Sequence, residues 1–221
     1  MAVCPVDCQC VEIEALDALS APAVVVLGER HAARDDLKLA ARAAAALAER
    51  APVTIALEAV DGSKQAAMVQ LADGSLKPKQ VEAAADWSAT WGHAFAPYLP
   101  VFKLDDVAFV AAGLKLGKAP EGREVPVPDV YAARLGEMAT HHGMDPVAFT
   151  RSMAWRDLSI AERSVQGWDG EGFLVILTGR GHVSEGLGVN WQLQQGLTEA
   201  PVSSYLLHSE GCATGDAVLV P

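Results

Sequence analysis

Three short runs of the chain are apolar almost without interruption: AVVVL at 23–27, VTIAL at 53–57 and FLVIL at 173–177. Continuous rather than alternating hydrophobicity over such a length predicts strands buried on both faces, the mark of a parallel sheet. Between the first two runs, Leu37, Ala41, Ala44 and Ala48 recur at helical spacing. Asp35 and Asp36 fall in the first turn of that segment and Arg50 in the last, which suits the helix dipole. Small residues on the stripe let a helix lie close to a sheet. Strand, helix and strand in this succession make a βαβ unit. Strands 24–27, 53–57 and 173–177 are therefore expected to be parallel and central, with helix 33–50 as the first crossover.

The remaining pattern fills in around that frame. Residues 63–86 read as helical with a break near Gly74 and Pro78. An aromatic segment follows, with Trp87 and Trp91 on one helix face, then His93, Tyr98, Pro100 and Phe102. The two indoles are expected to pack on the sheet side of their helix, near the sheet's carboxyl end. Residues 107–112 suit a short strand. The stretch GLKLGKAPEGREVPVP at 113–128 reads as a lid or binding loop, or as a plain surface loop. Residues 129–166 predict two or three helices jointed at Gly143 and Pro146, with a helix near 185–195 and a strand at 203–207 closing the chain. The fold class is α/β: a single domain over 11–221, a mostly parallel sheet flanked by helices, and a helical insertion at about 63–166. Residues 1–10 are expected to be disordered.

Composition narrows the function classes. With 51% hydrophobic and 20% charged residues, the 221-residue chain is a folded protein. A net charge of −11 argues against a nucleic-acid binder. No apolar stretch suffices for a transmembrane helix. The N-terminus shows neither a signal peptide nor a lipobox, so the expectation is cytoplasmic, or envelope-associated if a leader was removed. Cys4, Cys8, Cys10 and Cys212 match no standard zinc or iron–sulfur spacing and read as ordinary thiols at a frayed terminus, a small metal or redox site closed by the distant Cys212 being the lesser reading.

Chemistry gathers where the strong strands end. The first runs into Gly28-Glu29-Arg30-His31, the second into Glu58, the third into Gly179-Arg180-Gly181-His182. Ligands of open α/β sheets sit outside the carboxyl ends of the strands, so Glu29, His31, Glu58 and His182 are expected to converge there, the two imidazoles sharing one crevice. The glycines are expected to allow a sharp turn out of each strand. Two histidines and two carboxylates suit Zn²⁺, Mn²⁺ or Fe²⁺, a general base with an orienting acid, or a haem ligand. A structural polar cluster is the competing reading. His141 and His142 fit the end of a helix, His93 and His208 have no evident partner, and Tyr98 and Tyr131 are either ferric-iron ligands or packing residues.

The run VVVLGERHAARDDLKLAARAAAALAERAPVTIALEAV resembles the opening of the ChaN-like haem-binding uptake proteins, a branch of the Tiki superfamily that also includes metal-dependent proteases and erythromycin-esterase-like hydrolases. FLVILTGRGHVSEGLGVNWQL is similar to the family's second Gly-x-x-His, and the Trp87, Trp91, Tyr98 and Pro100 segment to its aromatic middle. The resemblance implies a polar pocket of Glu29, His31, Glu58 and His182, with Trp87, Trp91 and Tyr98 beside a bound haem. It also leads one to expect an asparagine behind the strand at 107–112, where this chain has none. Three functions stay open. One is a haem-binding protein of iron uptake, with Lys115, Lys118 and Arg123 meeting the propionates. Another is a metal-dependent hydrolase of peptides or esters, its metal held by His31, Glu58, His182 and Glu29. The third is a scaffold with a residual polar pocket. Expected partners are haem or such a substrate, with no nucleic acid, and a second copy of the chain in a homodimer.

Overall fold

The computed structural model describes residues 8–114, 119–120, 124–208, 212–213 and 216–221. In chain order the elements are β1 (Gln9–Glu12), β2 (Ala23–Glu29), α1 (Arg34–Ala48), β3 (Val53–Asp61), α2 (Gln65–Ala72), α3 (Val81–Ala84), α4 (Trp87–Thr90), α5 (Leu99–Phe102), β4 (Val107–Gly113), α6 (Asp129–His141), α7 (Pro146–Gln166), β5 (Phe173–Gly179), α8 (Val189–Gln192), β6 (Val202–Leu206) and β7 (Ala217–Val220). The seven strands form one parallel sheet in the order β1-β7-β6-β2-β5-β3-β4.

The uninterrupted apolar runs are explained by burial on both faces. Side chains of a strand alternate between faces. Val25, Leu27, Ile55, Leu57, Val175 and Leu177 face α1 and the helices α2–α5. Val24, Val26, Ala56, Leu174 and Ile176 face α7 and α8. A strand covered on one side alone would read as alternating; these are covered on both.

The three predicted strands are parallel and central, and α1 is the first crossover. β2 and β3 are not neighbours, however: β5 lies between them, with Val26 level with Ile176 and Ile176 level with Ala56. α7 returns the chain to that slot. Asp145 caps this helix by accepting from the Ala148 amide, and Pro146 occupies its first turn. The joint falls at Gly143 and Pro146, as the sequence indicates.

Three expectations need correction. Gln9 and Cys10, read as disordered, belong to β1, which pairs in register with β7; residues 1–7 lie outside the described residues. Four residues of apolar sequence near the terminus were too short a signal to mark β7. The helix expected near 185–195 is broken into short turns, because Glu185, Gly186, Gly188 and Gly196 all take positive φ. The cysteines are not plain thiols either. Cys8 is joined to Cys212 by a disulfide with Cα atoms 6.2 Å apart, and no described cysteine is free. Among the described residues, no helix is long and apolar enough to cross a membrane.

Candidate functional site

The site grows from the carboxyl ends of β2, β5 and β3. Glu29 ends β2 and pairs in register with Gly179, the last residue of β5. Glu58 follows Leu57 of β3, which is level with Leu177. That register brings the Glu58 carboxylate to the end of β5. Its Oε2 accepts from Thr178 Oγ1 and from the Gly179 amide, each at 2.7 Å. Its Oε1 accepts from Arg156 Nη2 at 2.6 Å and stands 3.4 Å from His182 Nε2.

His182 continues this network into the interior. Its Nδ1 lies 2.5 Å from Asp157 Oδ1, and Tyr131 donates to Asp157 Oδ2 at 2.8 Å. Burial of His182 works against its charge, but Glu58 and Asp157 outweigh that and raise its pKa to about 10. Burial likewise works against the Glu58 carboxylate, yet His182, Arg156 and the Gly179 amide hold its pKa well below the usual range. The result is a buried imidazolium clamped between two carboxylates.

His31 is built differently. Its Nδ1 lies 2.9 Å from Glu29 Oε1, and Tyr98 donates to the same oxygen at 2.7 Å. A carboxylate can only accept, so Nδ1 carries the hydrogen of this bond and Nε2 is the nitrogen turned away from Glu29. Tyr98 is itself fixed by Trp91 Nε1 at 3.1 Å. Burial, reinforced by the Glu29 charge, raises the Tyr98 pKa far above the ordinary phenol value, so the hydroxyl stays protonated. The indole of Trp91 meets the His31 ring edge-on at 4.7 Å, and the His93 ring lies 4.8 Å away. Trp87 is in the core and donates to the His93 carbonyl at 2.7 Å.

His31, Glu58, Asp61, Trp91, His93 and Arg156 line a polar cavity of about 130 Å³. His31 Nε2 has no hydrogen-bond partner among the described residues, and the side chain is one third exposed. Gly179 has an extended backbone, so turning is not why glycine is there. A Cβ on it would stand 2.6 Å from His31 Cε1. The residue is small because the imidazole passes directly over it.

The four predicted pocket residues are thus divided. His31 and Glu58 line the same cavity, and Glu29 backs His31. His182 does not line it: this imidazole lies beneath Glu58 with both nitrogens engaged, so the two histidines do not share one crevice. Among the described residues, no group of three or more metal-ligating side chains is arranged to hold an ion. Glu58 and His182 have spent their lone pairs and protons on one another and on Arg156, Asp157, Thr178 and Gly179. Trp91 lines the cavity, while Trp87 and Tyr98 stand behind it. His208 contacts Asp36 and Arg180 instead, and His141 and His142 are exposed. Lys115, Lys118 and Arg123 lie outside the described residues.

Sequence reasoning missed Arg156 and Asp157. A signal existed: Ala154, Asp157, Ala161 and Ser164 form the buried stripe of α7, and a charge on an inward stripe calls for a buried partner.

Comparison with known proteins bears on this site. The family model described as haem-binding uptake, Tiki superfamily, ChaN matches residues 15–116, a span that contains Glu29, His31, Glu58 and the aromatic segment. No curated protein matches the chain. Among solved structures, ChaN of Campylobacter jejuni, described as binding haem cofacially, superimposes with a TM-score of 0.70 at 16% identity over 87% of this chain and 84% of that one. The type III effector HopBA1 superimposes with a TM-score of 0.51 at 14% identity over 94% of this chain and 90% of its own. The motif-bearing N-terminal region thus matches the family model of ChaN-like haem-binding uptake proteins in sequence, and the fold of the chain is that of ChaN over most of its length.

Proposed function

We propose that this protein binds haem for uptake or handling of iron, with His31 Nε2 as the iron ligand. The observation that carries this reading is the placement of His31: an imidazole with one nitrogen held by Glu29 and the other turned toward a cavity rimmed by Trp91 and His93. Imidazole is a common axial ligand of haem iron, and a carboxylate on its far nitrogen fixes ring and tautomer. The donor chemistry fits the group. The enclosed space, about 130 Å³, is below the range of pockets that bury a drug-sized ligand, so most of a bound haem would lie outside it. Bound haem would supply an iron able to take a nitrogen ligand and to exchange electrons. The chain supplies the lone pair of His31, the indole of Trp91 and, at the rim, the imidazole of His93.

Titration of ferric haem, followed by the Soret band, tests the reading. Saturation near one haem per chain is expected for wild type, with affinity reduced by one to two orders of magnitude in His31→Ala. No spectral response in wild type, or equal affinity in the variant, overturns it.

The small polar cavity favours a second reading without a metal. His31, oriented by Glu29, would act as general base on water, with Arg156 facing the carbonyl of an ester or amide. Turnover of ester or peptide substrates that His31→Ala abolishes, in protein unresponsive to haem, would select it.

A further inference from the structure

β4 ends the sheet on one side: it pairs with β3 on its inner flank and, among the described residues, with no strand on its outer one. Its sequence, Val-Ala-Phe-Val-Ala-Ala-Gly, carries no charge and no proline. An edge strand of that composition is a template on which another chain can build, because its outward N–H and C=O groups call for partners. Here those groups are met by side chains. The carbonyl of Phe109 accepts from Gln65 Nε2 at 3.0 Å, and the Ala111 amide donates to Gln65 Oε1 at 2.7 Å. Arg163 Nη1 donates to the Gly113 carbonyl. Its guanidinium lies over Gly62, where a Cβ would stand 2.7 Å from Nη1.

The two bonds of Gln65 have the pattern of a strand. In a parallel ladder, one residue of the neighbour donates to the carbonyl before its opposite number and accepts from the amide after it. A single primary amide does both here, level with Val110. Gln65 is the first residue of α2, and the turn before it is fixed by Asp61, which accepts from the Ser63 amide at 3.0 Å. The side chain is thus presented to the edge by an ordered backbone. Beside it, Gly62, Gln65, Val110, Arg163 and Gly167 line an open groove of about 540 Å³, so the edge is within reach of another chain. We infer that Gln65 and Arg163 guard the edge of β4, and that the strand they keep out is β4 of a second copy. A copy of the same chain is the partner that always matches: its edge has the same length, the same uncharged side chains and the same row of outward groups. Two such edges meeting about a two-fold axis would pair antiparallel and join two sheets into one. Gln65 takes the bonds that the second strand would make, and Arg163 sets a charge beside an otherwise uncharged edge. Neither side chain lines the cavity around His31, so the guard holds whatever that cavity binds.

Light scattering after size-exclusion chromatography, together with hydrogen exchange at the Ala111 amide, tests the guard. In Gln65→Ala the average mass is expected to rise about twofold over wild type as protein concentration is raised. Ala108, exposed on the same strand, provides the control. Gln65→Ala combined with Ala108→Lys puts a lysine on each of the two edges, which opposes strand addition, and is expected to return the mass to that of wild type. The Ala111 amide should exchange faster in dilute Gln65→Ala than in wild type and become protected again on association. A wild-type mass in Gln65→Ala at every concentration overturns the guard. So does association that Ala108→Lys leaves in place, or that leaves the Ala111 amide fast. Should Gln65→Ala fail to fold, Gln65→Met, which keeps the bulk and drops the amide, decides by the same readings.

Discussion

His182 and His31 are the same side chain put to different uses, and solvent separates them. His182 is buried between Glu58 and Asp157, whereas His31 opens on a cavity. Removing one member of a buried ion pair leaves an uncompensated charge, at a cost of about 3–5 kcal/mol. His182→Gln is expected to cost that much below pH 6.5. The pKa of His182 is raised on folding, from the ordinary 6.5 to about 10, so its contribution is full below the lower value and is lost as pH rises through the upper one. The difference in unfolding free energy between wild type and His182→Gln should therefore narrow between pH 7 and 10 in urea titrations. A constant difference would mean that the imidazolium is not the stabilising form. Glu58 acts at the acid end, where its lowered pKa keeps its contribution in place above the ordinary carboxylate value and surrenders it only well below. His31→Ala should cost about 1 kcal/mol, since water can enter the vacated position and meet Glu29. At this scale the sequence identified the right side chains and could not divide them. Gly-x-x-His motifs behind strands look alike on paper; what distinguishes His182 is Asp157, 25 positions away on another element.

At the scale of the element, β5 ties the site together. It lies between β2 and β3, and its last residues touch both arms: Thr178 and Gly179 donate to Glu58, while Gly179 lies under His31. Gly179→Ala separates fold from site. The backbone there has φ −62° and ψ 141°, which alanine adopts freely, and the nearest atoms belong to the end of a side chain that can swing away. The expected result is a thermal midpoint within a few degrees of wild type and haem affinity lowered tenfold or more, because the displaced imidazole loses Glu29. Unaltered affinity would show that the ring need not sit against β5. The strands and α1 were legible because burial on both faces leaves an unbroken apolar run. The interposition of β5 was not. It depends on α7 carrying the chain across the opposite face of the sheet, and no local pattern records such a choice.

For the molecule as a whole, the main separation is between centre and edge. The central strands carry the site, and the edge pair β1 and β7 brings the two ends of the chain together, where Cys8 and Cys212 are joined across 204 residues. Closing so long a loop restricts the unfolded chain, an effect of about 2–4 kcal/mol. A reductant should lower the thermal midpoint by several degrees, and Cys8→Ser should do the same without a reductant. Haem affinity should survive both changes, since neither cysteine lines the cavity.

That bond also makes nearly the whole protein a closed ring. A pull from outside Cys8 and Cys212 can strip β7 from the sheet, but the disulfide keeps residues 9–211 from being drawn out straight. In a single-molecule stretching experiment the oxidised protein should release no more than β7 and the segment around it, while the reduced one should release roughly 700 Å of chain at about 3.3–3.6 Å per residue. A pore that threads its cargo one strand at a time would have to take this protein before the ring is closed, or open it first.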